Sequence, residues 1–315
     1  MPDTVGALLR EASRRLAVAG VPSPRTDAEL LLAHVLDVPR GEVRRLSLLD
    51  APLPDGGAPA GPGPGERFAG LVERRARREP LQHLTGAAPF RHLELAVGPG
   101  VFVPRPETEQ VAQVAVDEAT AVVADRGSVV VVDLCTGSGA IALAVATEVP
   151  GAVVHAVELD REAYRWTERN VAAVAGAAGA DVRPVRGDAR TALTAWDGTV
   201  DVVVSNPPYV PPTAVPRDPE VAGHDPGVAL YGLGADGLEV PRGVARAAAR
   251  LLRPGGLFVM EHAEVQAAGA RELAAAAGLV DVRTAEDLTG RPRMVVARQP
   301  VDAPSGRRTV TDWGE

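Results

Sequence analysis

The run Val129-Val130-Val131-Val132-Asp133-Leu134-Cys135-Thr136-Gly137-Ser138-Gly139-Ala140-Ile141-Ala142 passes from a block of β-branched residues, through two glycines, into a short apolar segment. Four successive valines put apolar side chains on both faces, which suits a parallel strand buried on both sides. The glycines fall where such a strand must turn sharply into a helix and where a ligand can approach the backbone. Glu158 follows about twenty residues beyond Gly139, at the end of the apolar run Val153 to Val157, the place from which a carboxylate accepts hydrogen bonds from both hydroxyls of a ribose. Strand, glycine turn, helix and acidic residue together imply a nucleotide-like cofactor.

Working outward, the same rhythm recurs. Strands are predicted at Val200 to Ser205 and Leu257 to Glu261, with a closing pair near Val280 and Val295. Helices are predicted around Thr108 to Val123, from Ala140 and from Glu162. This alternation predicts an α/β fold with a Rossmann-like, doubly wound sheet over residues 108–299. The first 86 residues read instead as a small helical domain. Val5, Leu8, Leu9, Ala12 and Leu16 share one helix face, and Ala28, Leu31, Leu32 and Val35 share another. Thr26 and Glu29 have the spacing of a capping box, which places a helix start near Asp27. Residues 51–65 are almost all Pro, Gly and Ala and read as a flexible insert. A helix resumes at Glu66, with Phe68, Leu71 and Val72 inward and Arg74, Arg75, Arg77 and Arg78 outward. That arginine run reads as a solvated face, or else as a contact for an acidic or RNA-rich partner. Between the domains, residues 87–107 read as a β-hairpin linker. In it, Leu93, Leu95 and Val97 alternate before a Gly98-Pro99-Gly100 turn and a Val101-Phe102-Val103 strand. Residues 300–315 read as a disordered tail.

Composition removes several chemistries. All 33 basic residues of this 315-residue chain are arginine, so a phosphate-loop lysine, a Schiff base and a lysine general base are excluded. A net charge of -8 disfavours nucleic acid as a direct substrate. The single cysteine, Cys135, rules out an internal disulfide, and no Cys/His spacing suggests a metal. Arg10, Glu11, Arg14 and Arg15 occupy the place where a signal peptide needs an apolar core, and no apolar stretch is long enough to span a membrane. The reading is a cytoplasmic, metal-free protein.

Asn206-Pro207-Pro208-Tyr209 follows the strand Val200 to Ser205 directly and so lies at the carboxyl edge of the sheet, beside the glycine turn. A planar amide nitrogen is a poor nucleophile because its lone pair is delocalised, as the rotation barrier of about 18–20 kcal/mol reflects. Two acceptors that grip its two N–H bonds orient it and favour loss of planarity as it attacks. Asn206 offers a side-chain carbonyl, and Pro207 a backbone carbonyl held by successive rings. Tyr209 offers an aromatic face to a planar amide or a sulfonium, worth roughly 0.5 to 2 kcal/mol. The glycine turn also satisfies a GxGxxA dinucleotide pattern, so it does not by itself separate a dehydrogenase from an S-adenosylmethionine enzyme. Asp133 favours the latter, since a carboxylate there helps to hold a cationic amino group and would repel a pyrophosphate. Asp188, in Arg186-Gly187-Asp188-Ala189, is placed to accept from an adenine amino group.

At these residues the chain resembles the release-factor glutamine methyltransferase family over about residues 1–299. The resemblance extends to Asp27-Ala28-Glu29-Leu30-Leu31, to Glu79-Pro80-Leu81-Gln82-His83-Leu84-Thr85-Gly86, and to Phe102-Val103-Pro104-Arg105-Pro106-Glu107-Thr108-Glu109. It implies a class I methyltransferase domain behind a helical substrate-recognition domain. The expected reaction is methyl transfer from S-adenosylmethionine to the glutamine of a Gly-Gly-Gln loop in class 1 peptide release factors. By this resemblance Cys135, Thr136, Gly137, Ser138, Gly139, Glu158, Asp188 and Ala189 line the cofactor site, with Asp133 and Asn206 beside them. Asn206, Pro207, Pro208 and Tyr209 hold the glutamine, and Phe102 flanks its pocket. The chain departs from the family's usual Gly at Cys135, Asp at Glu158, Tyr at His83 and Glu-Pro at Asp225-Pro226. Rival readings are an adenine amino methyltransferase acting on DNA or RNA, a paralogue that methylates glutamine in another protein, and a non-catalytic adapter that keeps the fold.

Overall fold

The structure is a computed structural model that describes residues 4–54, 61–216 and 218–301. The central part of the expected insert, 55–60, and the tail from residue 302 lie outside the described residues. The chain divides into two compact units. One comprises Met1–Pro89, Glu94–Val103 and Val215–Pro226, the other Phe90–Leu93, Pro104–Ala214 and Gly227–Glu315.

The first unit is helical, with helices at Val5–Val18, Pro24–Leu36, Arg40–Leu48, Pro64–Ala76 and Leu81–Thr85. Leu9, Leu16, Leu31, Leu32, Phe68 and Val72 share one apolar core, as their spacing predicts. Three local expectations fail for physical reasons. The second helix starts at Pro24, whose fixed φ and missing N–H suit a first turn, and no capping box forms. Glu29 instead accepts from Arg25 and Arg40 at 2.7 and 2.9 Å, and Thr26 from Arg40 at 3.2 Å. The fourth helix begins at Pro64 for the same reason, earlier than Glu66. Arg75 does not face outward: it is 3% exposed and donates to Asp27 and Glu220 at 2.7 and 2.8 Å. Its neighbours are also neutralised, Arg74 by Glu79, Arg77 by Glu73, and Arg78 by Glu220 and Asp218.

The hairpin is displaced from its expected position. β1 (Ala87–Phe90) pairs with β2 (Leu93–Ala96) across a turn in which Arg91 has φ 55°, and Val101–Val103 form no strand. Val101 and Val103 are buried nonetheless, which accounts for their apolar alternation.

The second unit carries a seven-stranded sheet, formed by β3 (Val129–Leu134), β4 (Ala152–Glu158), β5 (Asp181–Arg186), β6 (Val200–Ser205), β7 (Leu252–Glu261), β8 (Val280–Glu286) and β9 (Pro292–Arg298). Their order is β5-β4-β3-β6-β7-β9-β8. The first five strands in that order run parallel, and β9 lies antiparallel to both β7 and β8. The chain leaves β3 toward β4 and later returns to pair β6 on the other side. The strand order therefore reverses at β3, and its carboxyl end opens a crevice suited to a ligand. Val131 and Val132 of β3 and Val202, Val203 and Val204 of β6 are fully buried, as two-sided strands require.

Candidate active site

The carboxyl ends of β3 to β7 stand level. Leu134 sits opposite Val157 on one side and Ser205 on the other, Glu158 opposite Arg186, and Ser205 opposite Met260. Ser205 Oγ donates to the Leu134 carbonyl at 2.6 Å, tying the strand that leads into the glycine turn to the one that leads into Asn206.

Leaving β3, the chain takes positive φ at Cys135 (63°), Gly137 (59°) and Gly139 (85°) before the helix Ala140–Glu148. For a cysteine this conformation costs on the order of 1 kcal/mol. Burial pushes its thiol well above the ordinary range, which disfavours the thiolate. Thr167 Oγ1 and Asn170 Nδ2 donate to the carbonyls of Gly137 and Ser138 at 2.6 and 2.9 Å, and Thr136 N–H donates to Val157 O at 2.9 Å. Glu158 accepts from the N–H groups of Gly137 and Asp160 at 2.9 and 2.8 Å, which binds the end of β4 to the turn. Burial raises its carboxyl while these amides offset the rise.

Asp133 is fully buried. Its Oδ2 accepts from the Thr136 hydroxyl at 2.5 Å and the Ala142 N–H at 3.1 Å, but among the described residues Oδ1 has no partner. Burial pushes this carboxyl up to about 7. An unmet buried acceptor costs about 1–3 kcal/mol, a cost that a nearby cationic amino group removes. A turn of this kind, with its orphaned carboxylate oxygen and Glu158, fits a cofactor that carries both an amino acid and a ribose. Asp188 is less available than the sequence suggests. Arg190 grips it through Nε and Nη2 at 2.9 and 2.6 Å and holds its carboxyl below the usual range. The Ala189 side chain packs into the apolar core with Leu134 and Val157.

Asn206 Nδ2 donates to Thr108 Oγ1 at 3.2 Å, and Thr108 Oγ1 donates to Glu261 Oε2 at 2.8 Å. The Tyr209 hydroxyl donates to Glu261 Oε1 at 3.2 Å. Burial pushes the Glu261 carboxyl up to about 7, and burial with the adjacent Glu261 raises the Tyr209 phenol. Gln266 Nε2 donates to the Tyr209 carbonyl at 2.8 Å and the Asp236 carbonyl at 3.1 Å. Val210 exchanges backbone bonds with Leu230 and Gly232 at 2.8 and 3.1 Å. A Cβ on Gly232 would lie 1.9 Å from the Gly237 carbonyl and 2.6 Å from that of Pro208, so this contact admits only glycine. Among the described residues no hydrogen bond takes the Pro207 carbonyl or Asn206 Oδ1.

Thr108, Thr167, Asn170, Glu261 and Gln266 escaped sequence reasoning. For Glu261 a signal existed, since it ends the buried run Leu257–Met260 as Glu158 ends β4. Phe102 belongs to the helical unit, outside the unit that carries Asn206.

The doubly wound sheet with its glycine turn and Asn-Pro-Pro-Tyr edge defines a class I methyltransferase. Residues 106–218 match the family model described as methyltransferase small domain, and residues 7–86 match the PrmC N-terminal domain. The hMettl16 catalytic domain, solved with a MAT2A 3′UTR hairpin, shares the fold at TM-score 0.50 and 15% identity over 67% of this chain and 76% of that one. A release factor glutamine methyltransferase of Streptomyces coelicolor is 49% identical over 295 residues, 93% of this chain and 97% of its own. A 4-amino-L-phenylalanine/4-methylamino-L-phenylalanine methyltransferase of Streptomyces pristinaespiralis is 41% identical over 279 residues, 87% of this chain and 88% of its own. The chain belongs to the release factor glutamine methyltransferase family.

Proposed function

We propose that this chain methylates the side-chain amide nitrogen of the glutamine in the Gly-Gly-Gln motif of class 1 peptide release factors, using S-adenosylmethionine, in the cytoplasm. The observation that carries this reading is the orientation of Asn206: its Nδ2 is held by Thr108, which leaves Oδ1 as an acceptor. Oδ1 and the Pro207 carbonyl oxygen would grip the two N–H bonds of a carboxamide and hold its nitrogen toward the cofactor turn. S-adenosylmethionine, when bound, would supply an electrophilic methyl to the nitrogen so held, and the proton that the nitrogen gives up in exchange would leave to water. Tyr209 and Pro208 would wall the carboxamide. Asp133 would hold the amino group of the cofactor, Cys135 to Gly139 would line its path, Glu158 would take the ribose hydroxyls, and Asp188 with Ala189 would border the adenine. The helical unit would recognise the protein partner. Among the described residues no helix is long and apolar enough to cross a membrane.

An aryl amine or the amino group of adenine presents the same pair of N–H bonds to such a clamp. The test is therefore competitive: labelled S-adenosylmethionine is supplied with purified release factor, 4-amino-L-phenylalanine, DNA and RNA. Label in release factor is the expected result. Label in the free amino acid or nucleic acid alone would reject the reading.

A further inference from the structure

Nothing in the Asn-Pro-Pro-Tyr segment itself sets which end of the Asn206 carboxamide faces a substrate. The two ends are nearly the same size and differ only in whether they donate or accept. The choice is made behind the segment. Glu261, at the carboxyl end of β7 and 2% exposed, accepts from Thr108 through one oxygen and from Tyr209 through the other. Thr108, 4% exposed, opens the helix Thr108–Arg126. A hydroxyl has one proton, and Glu261, once ionised above about pH 7, can only accept. With that proton committed to Glu261, Thr108 can offer only a lone pair to Asn206, so the NH2 end turns to Thr108 and the carbonyl end faces away.

We infer that Thr108 and Glu261 are positioning residues that lock the Asn206 amide with its oxygen toward the substrate, and that Glu261 also fixes the Tyr209 ring through its hydroxyl. A flipped Asn206 would present two donors to a carboxamide that itself brings two N–H bonds, and the grip would become a repulsion. This inference rests on the reading of Asn206 as the substrate acceptor.

The first arm of the test compares Thr108→Val with Thr108→Ser in methyl transfer to release factor. Valine keeps the shape and removes the hydroxyl, so kcat should fall about tenfold or more, with cofactor KM changed less than about twofold. Serine restores the hydroxyl and should return kcat to within about threefold of wild type. Equal kcat in wild type and Thr108→Val, or equal loss in the serine and valine variants, would overturn the proposal. The second arm needs no turnover: hydrogen exchange of the Asn206 side-chain NH2, assigned by its loss in Asn206→Asp, read in 15N spectra. Slow exchange in wild type and Thr108→Ser but fast exchange in Thr108→Val is expected, and exchange indifferent to Thr108 would contradict the lock. If release factor is not methylated but the exchange pattern holds, the substrate reading fails while the lock stands.

Discussion

Asp133, one residue before the end of β3, and Glu261, at the end of β7 with β6 between the two strands, are buried carboxylates, and both are pushed up to about 7. Glu261 faces Thr108, Tyr209, Arg293 and Glu107; Arg293 draws its proton off, Glu107 opposes that, and burial outweighs both. In the unfolded chain a glutamate titrates near 4.5. Between that value and about 7 the folded state binds the extra proton, so this group's contribution to stability is complete at low pH and declines as pH rises through about 7. Replacing Glu261 by Gln removes the decline. The stability of wild type relative to Glu261→Gln should fall by about 3 kcal/mol from about pH 4 to about pH 8, measured by urea unfolding. A difference that stays constant across that range would show that Glu261 titrates normally and is not the buried group described.

At the scale of elements, the backbone after Asn206 is held by a loop from Leu230 to Gly237 that pairs with Val210 and touches Pro208 and Tyr209. Gly232→Ala places a methyl against two carbonyls, so the loop must lift. A loss of about 2 kcal/mol in unfolding free energy, accompanied by loss of turnover, is expected. Unchanged melting and unchanged kcat would show that the loop is not clasped there. This clasp also marks where sequence stops being informative. Strands with two buried faces, such as Val129–Leu134 and Val200–Ser205, announce themselves by composition. The glycine turn and Asn206 are legible because a backbone conformation and a donor–acceptor pattern demand particular residue types. Contacts between distant residues are not: Thr108 meets Glu261 across 153 positions, and nothing local to either announces the meeting. The hairpin misread has a similar cause. Val101 and Val103 are apolar because they are buried, and burial in an irregular segment leaves the same alternation as a strand.

At the scale of the molecule, the helical unit is not confined to the start of the chain, for it also takes in Val215–Pro226, just beyond the Asn206 segment. Within that unit Arg75 is the hub. Its side chain is 4% exposed and pairs with Asp27 from the second helix and Glu220 from the late segment. Removing one partner of a buried ion pair strands the others, so Arg75→Met should cost about 3–5 kcal/mol. Arg77→Met, at an exposed pair with Glu73 at 3.2 Å, should cost at most about 1 kcal/mol. Denaturant unfolding of both variants reads the contrast, and equal effects would remove Arg75 from the core of that unit. An arginine run that reads as a solvated face thus conceals one buried member, which helical spacing alone did not reveal.

The proposed grip of Asn206 and Pro207 on a carboxamide nitrogen is tested most directly by mass spectrometry of the release factor's Gly-Gly-Gln peptide after incubation with S-adenosylmethionine. Wild type should add one methyl group to the glutamine. Asn206→Ala should lower that yield by about a hundredfold or more while cofactor binding, measured by calorimetry, persists. Methylation of the glutamine at an undiminished rate by Asn206→Ala would contradict the account.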